Sequence, residues 1–249
     1  MQRYFIEIAY AGKDYHGWQR QPDAVSIQQV LEERMSLLLR ENIRLTAAGR
    51  TDAGVHALQS FAHFDVENEP DIPVFLQRIN GFLPKDIVIK KMFPVKPGAH
   101  ARYDAVSRSY VYKISMNKNP FLQDFAWEFR RPLDMEKMNT AAAILLEYTD
   151  FESFSKVKTD VKTFICHIKE AYWKREGDLL VFRITADRFL RNMVRAIVGT
   201  LTGVGLEKIP PGALHGIIES KNRGKAGASA PAHGLFLEKV VYPDNIFLK

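Results

Sequence analysis

Two hydrophobic periodicities alternate along this chain, and their order constrains the fold more than any other feature. Tyr4 to Tyr10 has the two-residue period of a strand. Ser26 with Gln29 forms a capping-box pattern that opens a helix. This helix is expected to bury Ile27, Val30, Leu31, Leu37 and Leu38 and to end near Asn42. Arg44 to Ala48 leads into a glycine-bounded loop, and Gln59 to Val66 reads as a strand with one buried face. Pro73 to Gly81 reads as a helix and Ile87 to Phe93 as a strand. The first part thus runs strand-helix-strand-strand-helix-strand, a ferredoxin-like order.

The second part repeats the scheme. A strand at Tyr110 to Ser115 precedes a helix at Met135 to Glu147. Paired strands follow around Phe164 to Trp173 and Leu179 to Thr185, joined by a hairpin turn at Glu176-Gly177-Asp178. A helix from Phe189 to Thr202, a shorter one at Ala213 to Ser220 and a last strand at Leu235 to Tyr242 complete the order. The fold class expected is α+β: two ferredoxin-like (RRM-like) halves with antiparallel sheets flanked by helices, and a central cleft suited to a nucleic acid. The polar stretch Pro94 to Ala105, with Pro97-Gly98, supplies the boundary, giving halves at 1–104 and 105–249.

With 249 residues and 46% hydrophobic content, the chain can bury a sizeable core. A formal charge of +6 favours an anionic partner, either nucleic acid or an acidic membrane surface. No apolar run approaches the roughly 20 residues of a membrane span. The start continues directly into a strand pattern, so a cytoplasmic location and no membrane partner are expected. Cys166 is the only cysteine, which excludes an intrachain disulfide and a thiolate zinc cluster within one chain; it reads as a small buried residue. No His-x-Glu is followed by a Cys-x-x-Cys pair, against a zinc nucleobase deaminase, and no metal is expected. Gly199, Gly203 and Gly205 do not complete a dinucleotide or Walker pattern, since Lys208 stands where a third glycine belongs; they are expected to end a helix. No cofactor motif remains.

The chemistry concentrates in Gly49-Arg50-Thr51-Asp52-Ala53-Gly54-Val55-His56-Ala57. Its glycines suit a tight loop presenting Asp52, and Arg50, two residues earlier, can keep that carboxylate ionised as a nucleophile or base. Asp-Ala-Gly is also an ordinary turn in which aspartate caps its own backbone. In Arg108-Ser109-Tyr110-Val111-Tyr112, both tyrosines project to one face of a strand, where they can line a pocket or pack on a sheet. Arg188, Arg191 and Arg195 share one helical face at spacings of three and four residues, fit for phosphates or for solvent.

The nine-residue run resembles the catalytic loop of the TruA-type tRNA pseudouridine synthases. Further stretches are similar to that family in the same chain order. They are Tyr10-Ala11-Gly12 through His16-Gly17-Trp18-Gln19-Arg20-Gln21-Pro22, Ala99-His100-Ala101-Arg102-Tyr103, Phe151-Glu152-Ser153-Phe154, and Ala230-Pro231-Ala232-His233-Gly234-Leu235-Phe236-Leu237. The resemblance implies an isomerase that converts uridine to pseudouridine in the tRNA anticodon stem-loop, at positions 38, 39 and 40, without a cofactor. It implies Asp52 as the catalytic carboxylate, with Arg50 beside it in the same loop motif. It implies Tyr110 as the residue that stacks on the target uracil and accepts a late proton, and Arg195, ending Phe-Leu-x-x-Met-Val-Arg, as the partner of Asp52; Tyr112 remains structural. It also implies a homodimer with tRNA as partner. A noncatalytic RNA-binding module and a base-excising glycosylase, which would release free uracil, are the alternatives.

Overall fold

The computed structural model describes residues 1–157 and 161–248. In chain order, β1 is Gln2–Tyr10, α1 Ile27–Leu39, β2 Thr46–Ala47, β3 His56–Val66, α2 Ile72–Phe82 and β4 Ile87–Pro94. Then come β5 Ser107–Ser115, β6 Trp127–Glu128, α3 Met135–Ile144, β7 Ile168–Glu176 and β8 Leu179–Ala186. The chain closes with α4 Met193–Gly205, α5 Ala213–Glu219 and β9 Leu235–Val241. This is a mixed α+β architecture. Two compact units divide it: Met1–Val106 with the segment from Leu237 onward, and Ser107–Phe236.

In the first unit, β1 pairs antiparallel with β3, Tyr4 opposite Phe64, and with β4, Ile6 opposite Met92, while β2 joins β3 through Thr46 and His63. Helix α2 packs on β4 and on α1. Tyr4, Ile6 and Ile8 bury one face of β1 and Phe5 the other. Phe5 meets Tyr242 at 5.3 Å and Phe93 at 6.3 Å between ring centres, and Phe61 packs edge-on to the same two rings. This aromatic layer covers the second face, so Ser60 to Phe64 of β3 are buried on both sides. The single buried face expected for that strand is corrected accordingly.

Helix α1 opens where the capping pattern puts it: the Ser26 hydroxyl accepts from the Gln29 N–H at 3.3 Å. It ends at Leu39, before Asn42, because Arg40 turns left-handed at φ 57°. Its buried residues are Ile27, Leu31 and Met35, one stripe at four-residue spacing, together with Glu32. Leu37 lies off that stripe and is 67% exposed, and Val30 and Leu38 are half-buried, so three of the five residues expected in the core are not fully inside it.

His63 of β3 is a buried imidazole whose Nδ1 accepts the Ala101 N–H at 3.1 Å. Burial first, then the Arg3 guanidinium, which is itself forked onto Asp65 at 2.7 and 2.8 Å, pull its pKa from 6.5 to about 4. A histidine kept neutral by the fold stabilises it above the unfolded pKa, and that contribution drains away as pH falls from 6.5 toward 4. The expected loss, after allowance for solvent screening, is on the order of 1 kcal/mol, or about 2–4 °C in Tm for a chain of this size. Thermal unfolding of wild type and His63→Asn across that window checks it: the gap between them narrows as pH falls, and parallel curves would exclude His63 as the cause.

In the second unit, β8 lies between β5 and β7, Tyr110 opposite Ile184 and Trp173 opposite Phe182, with β6 parallel on the edge of β5. Gly177, at φ 57°, makes the expected hairpin turn. Strand β7 begins at Ile168, later than Phe164, and the expected helix to Glu147 is α3 followed by a 3-10 turn at Leu145–Glu147. A larger correction concerns α4, which starts at Met193 and not at Phe189. Asn192 sits at φ 66°, a left-handed conformation that interrupts any helix running through it. Arg188 and Arg191 therefore precede the helix, and the shared arginine face with Arg195 does not form. Gly199 and Gly203 lie inside α4 and only Gly205 closes it; the Ala228 backbone passes directly against Gly199, which leaves no room for a side chain. Cys166 is buried, and its surroundings push the thiol up to about 12. Among the described residues, no helix is long and apolar enough to cross a membrane.

Candidate active site

Asp52 occupies the turn between β2 and β3 in the first unit, half-buried, and the segment that follows β1 wraps this turn. The Trp18 N–H donates to the Thr51 carbonyl at 3.1 Å and the Gly54 N–H to the Tyr15 carbonyl at 3.3 Å. The hydroxyls of Tyr10 and Thr51 lie 2.8 Å apart, both residues buried. Nδ1 of the buried His56 accepts the Gly12 N–H at 3.0 Å, which fixes the proton of the neutral ring on Nε2. The two backbones approach so closely that a Cβ at Gly12 would collide with the Val55 carbonyl oxygen. Asp52 is thus carried on a turn whose flanking residues are bonded on both sides to residues 10–18.

Helix α1 holds this assembly from behind. The Gly17 and Trp18 carbonyls accept the N–H groups of Ile27 and Gln28, satisfying donors that a helix start otherwise leaves open. Gln28 accepts the Arg20 N–H at 3.1 Å and donates to the Leu45 carbonyl at 3.1 Å, and Glu32 accepts the Leu45 N–H at 2.9 Å. The guanidinium groups of Arg20 and Arg44 stand 3.5 and 3.6 Å from the Glu32 carboxylate. One helix therefore grips both the wrapping segment and the strand leading into the Asp52 turn. Sequence reasoning did not single out Gln28 or Glu32; the available signal was a glutamate on the stripe of Ile27, Leu31 and Met35, where an unpartnered charge would be costly.

Arg50 lies in the same turn and is exposed. The other two expected residues belong to the second unit. Arg195 stands in the first turn of α4, half-buried; its Nε donates to the Ala230 carbonyl at 2.7 Å while its own carbonyl accepts the Ala230 N–H at 3.0 Å. This reciprocal pair locks the arginine to the segment beginning at Ala230. Ser229 next to it accepts from Asn192 at 2.6 Å and from Arg223 at 2.9 Å. Tyr110, half-buried on β5, meets Phe189 edge-on at 5.1 Å and 87° between ring planes. Phe189 leaves the expected helix for this ring contact. Tyr112 is fully buried, its hydroxyl donates to the Pro231 carbonyl at 2.8 Å, and burial raises its pKa, which makes it a structural residue.

A carboxylate presented on a braced turn is the kind of group that serves acid–base or nucleophilic chemistry, and the charge of +6 suits an anionic partner. The comparison with known proteins narrows it. A family model described as tRNA pseudouridine synthase matches residues 7–104 and 141–243, which include Arg50, Asp52 and Arg195 and leave Tyr110 between the two matched stretches. A protein of Porphyromonas gingivalis named tRNA pseudouridine synthase A is 52% identical over 252 residues, covering all of both chains. A protein of the same name from Bacteroides fragilis is 52% identical over 249 residues, 99% of each chain. Another, from Parabacteroides distasonis, is 50% identical over 248 residues, 99% of this chain and 98% of the relative. The chain belongs to the tRNA pseudouridine synthase family.

Proposed function

We propose that this chain isomerises uridine to pseudouridine in tRNA, at positions 38, 39 and 40 of the anticodon stem-loop. The observation that carries the reading is the Asp52 turn, braced by residues 10–18 within the stretch that matches the family. The N1–C1′ bond of the target nucleotide breaks, the uracil turns while enclosed, and C5 joins C1′; N1 takes a proton and the C5 hydrogen leaves to water. Asp52 supplies the essential carboxylate, by attack at C1′, by addition to C6 or by removal of a C2′ proton. Tyr110 stacks on the target uracil and takes the late proton. Arg195 pairs with Asp52, and exposed Arg50 contacts the substrate.

The target base has to leave the RNA stack, at a cost on the order of a few kcal/mol, which stacking on aromatic side chains and phosphate contacts from a chain of charge +6 offset. The order β1-α1-β2-β3-α2-β4 in the first unit supports a ferredoxin-like half, and β5-β6-α3-β7-β8-α4, with the two-residue β6 as an addition, supports a second. Action as a cytoplasmic homodimer completes the proposal.

Wild-type protein incubated with tRNA transcripts tritiated at uracil C5 is expected to release tritium to water without free uracil. Free uracil would mark a glycosylase, and tight binding with no release from any tRNA would mark a binding module.

A further inference from the structure

An aromatic ladder in the first unit runs from the core to the surface and ends in an unusually exposed ring. Phe5, fully buried, stacks on His63 at 6.0 Å and 26°; His63 meets His100 at 4.7 Å; His100 lies 4.2 Å from Tyr103 with the rings tilted by 31°. Tyr103 is 74% exposed. Its position is nonetheless rigidly set. His100 Nδ1 accepts the N–H groups of both Arg102 and Tyr103, at 3.1 and 3.3 Å. The His100 N–H donates to Asp104 at 2.7 Å, and the Asp104 N–H returns to the His100 carbonyl at 3.0 Å. Both imidazoles accept backbone N–H groups through Nδ1, which a proton there would break, and burial lowers the pKa of each. The guanidinium of exposed Arg102 lies over the Tyr103 ring, its carbon 5.9 Å from the ring centre.

An exposed ring braced by another ring, with a guanidinium that can move off it to a phosphate, is an arrangement that can receive an unstacked nucleobase. We propose that Tyr103 is a stacking platform for an unpaired base of the RNA substrate, outside the set of residues assigned to the chemistry. This rests on the tRNA reading above.

The test compares Tyr103→Leu and Tyr103→Phe with wild type, using a tRNA transcript that wild type turns over. Kd is measured across a salt series, with KM, kcat and Tm. Loss of one stacked base is expected to weaken binding by Tyr103→Leu about 5- to 150-fold, equivalent to about 1–3 kcal/mol. KM rises with it, while kcat and the slope of log Kd against log salt stay unchanged, because no phosphate contact is lost. Tyr103→Phe keeps wild-type affinity. Unchanged tRNA affinity in Tyr103→Leu overturns the platform, as does a change confined to its oligomeric mass, while wild-type tritium release leaves the enzymatic reading standing. Absence of both binding and release in wild type removes that reading and the platform together.

Discussion

Asp52→Asn is expected to lower tritium release by at least about 10³-fold, within the range of 10²–10⁴ or more that a positioned acid–base or nucleophilic group contributes. The affinity for tRNA should stay within about tenfold of wild type, a difference of about 1.4 kcal/mol. The separation of the two effects follows from how the turn is held. The contacts that fix it include those of the carbonyl and hydroxyl of Thr51, the N–H of Gly54, the ring of His56, and the Asp52 carbonyl, which accepts the Val55 N–H at 3.1 Å. The backbone contacts survive replacement of the Asp52 carboxylate by an amide of nearly the same shape. Filter binding, single-turnover release and thermal unfolding on the same preparations check the expectation. A hundredfold loss of affinity, or a large fall in Tm, would assign Asp52 to binding or folding instead.

The alternation of periods made most elements legible. β1, β4 and β8, the Ser26 cap and the Gly177 hairpin lie within a residue or two of where local chemistry puts them, because each depends on residues a few positions apart, while β3 and β5 each begin three residues earlier than expected, at His56 and Ser107. Phe189 and Leu190 show where that reasoning stops. Their apolar spacing fits α4, yet Asn192 turns left-handed and Phe189 packs on the Tyr110 ring, a contact made 79 positions away along the numbering (189 − 110). Long-range packing outweighed helix periodicity there. Likewise the second buried face of β3 depends on Tyr242 reaching back to Phe61, which no window around residues 59–66 contains.

At the candidate site, the Asp52 loop was legible from its own residues as an arginine-flanked carboxylate between glycines. What braces it was not. Tyr10, Gly12, Tyr15 and Trp18 meet the loop across some forty residues of chain, with Gln28 and Glu32 behind them. In sequence these read as a strand end, a turn and a helix face. Their joint purpose emerges only when the carbonyls of Gly17 and Trp18 are seen capping α1 while Trp18 donates its own N–H to Thr51.

Gly17→Ala is the sharpest test of that bracing. Gly17 is held at φ +84°, a conformation costly for any residue with a Cβ. A Cβ there would also stand 2.5 Å from the Thr51 carbonyl oxygen and 3.0 Å from the Asp52 carbonyl carbon. Neither obstacle is a flexible side-chain end, so the strain is relieved only by moving the backbone that carries the carboxylate. Trp18, 1% exposed, cannot retreat without opening the core, and the Gly17 carbonyl is tied to the Ile27 N–H at 3.2 Å. The expected cost in stability is about 1–3 kcal/mol, or about 2–12 °C in Tm. Turnover should fall further than stability alone accounts for, by about 10²-fold, because displacement of a reacting group by about 1 Å is enough for such a loss. Affinity for tRNA should change less than turnover, since of the proposed substrate contacts only Arg50 lies in the displaced turn. Measured at a temperature where the variant is fully folded, a normal kcat would show that the Asp52 turn tolerates displacement and that its contacts with residues 10–18 serve stability alone.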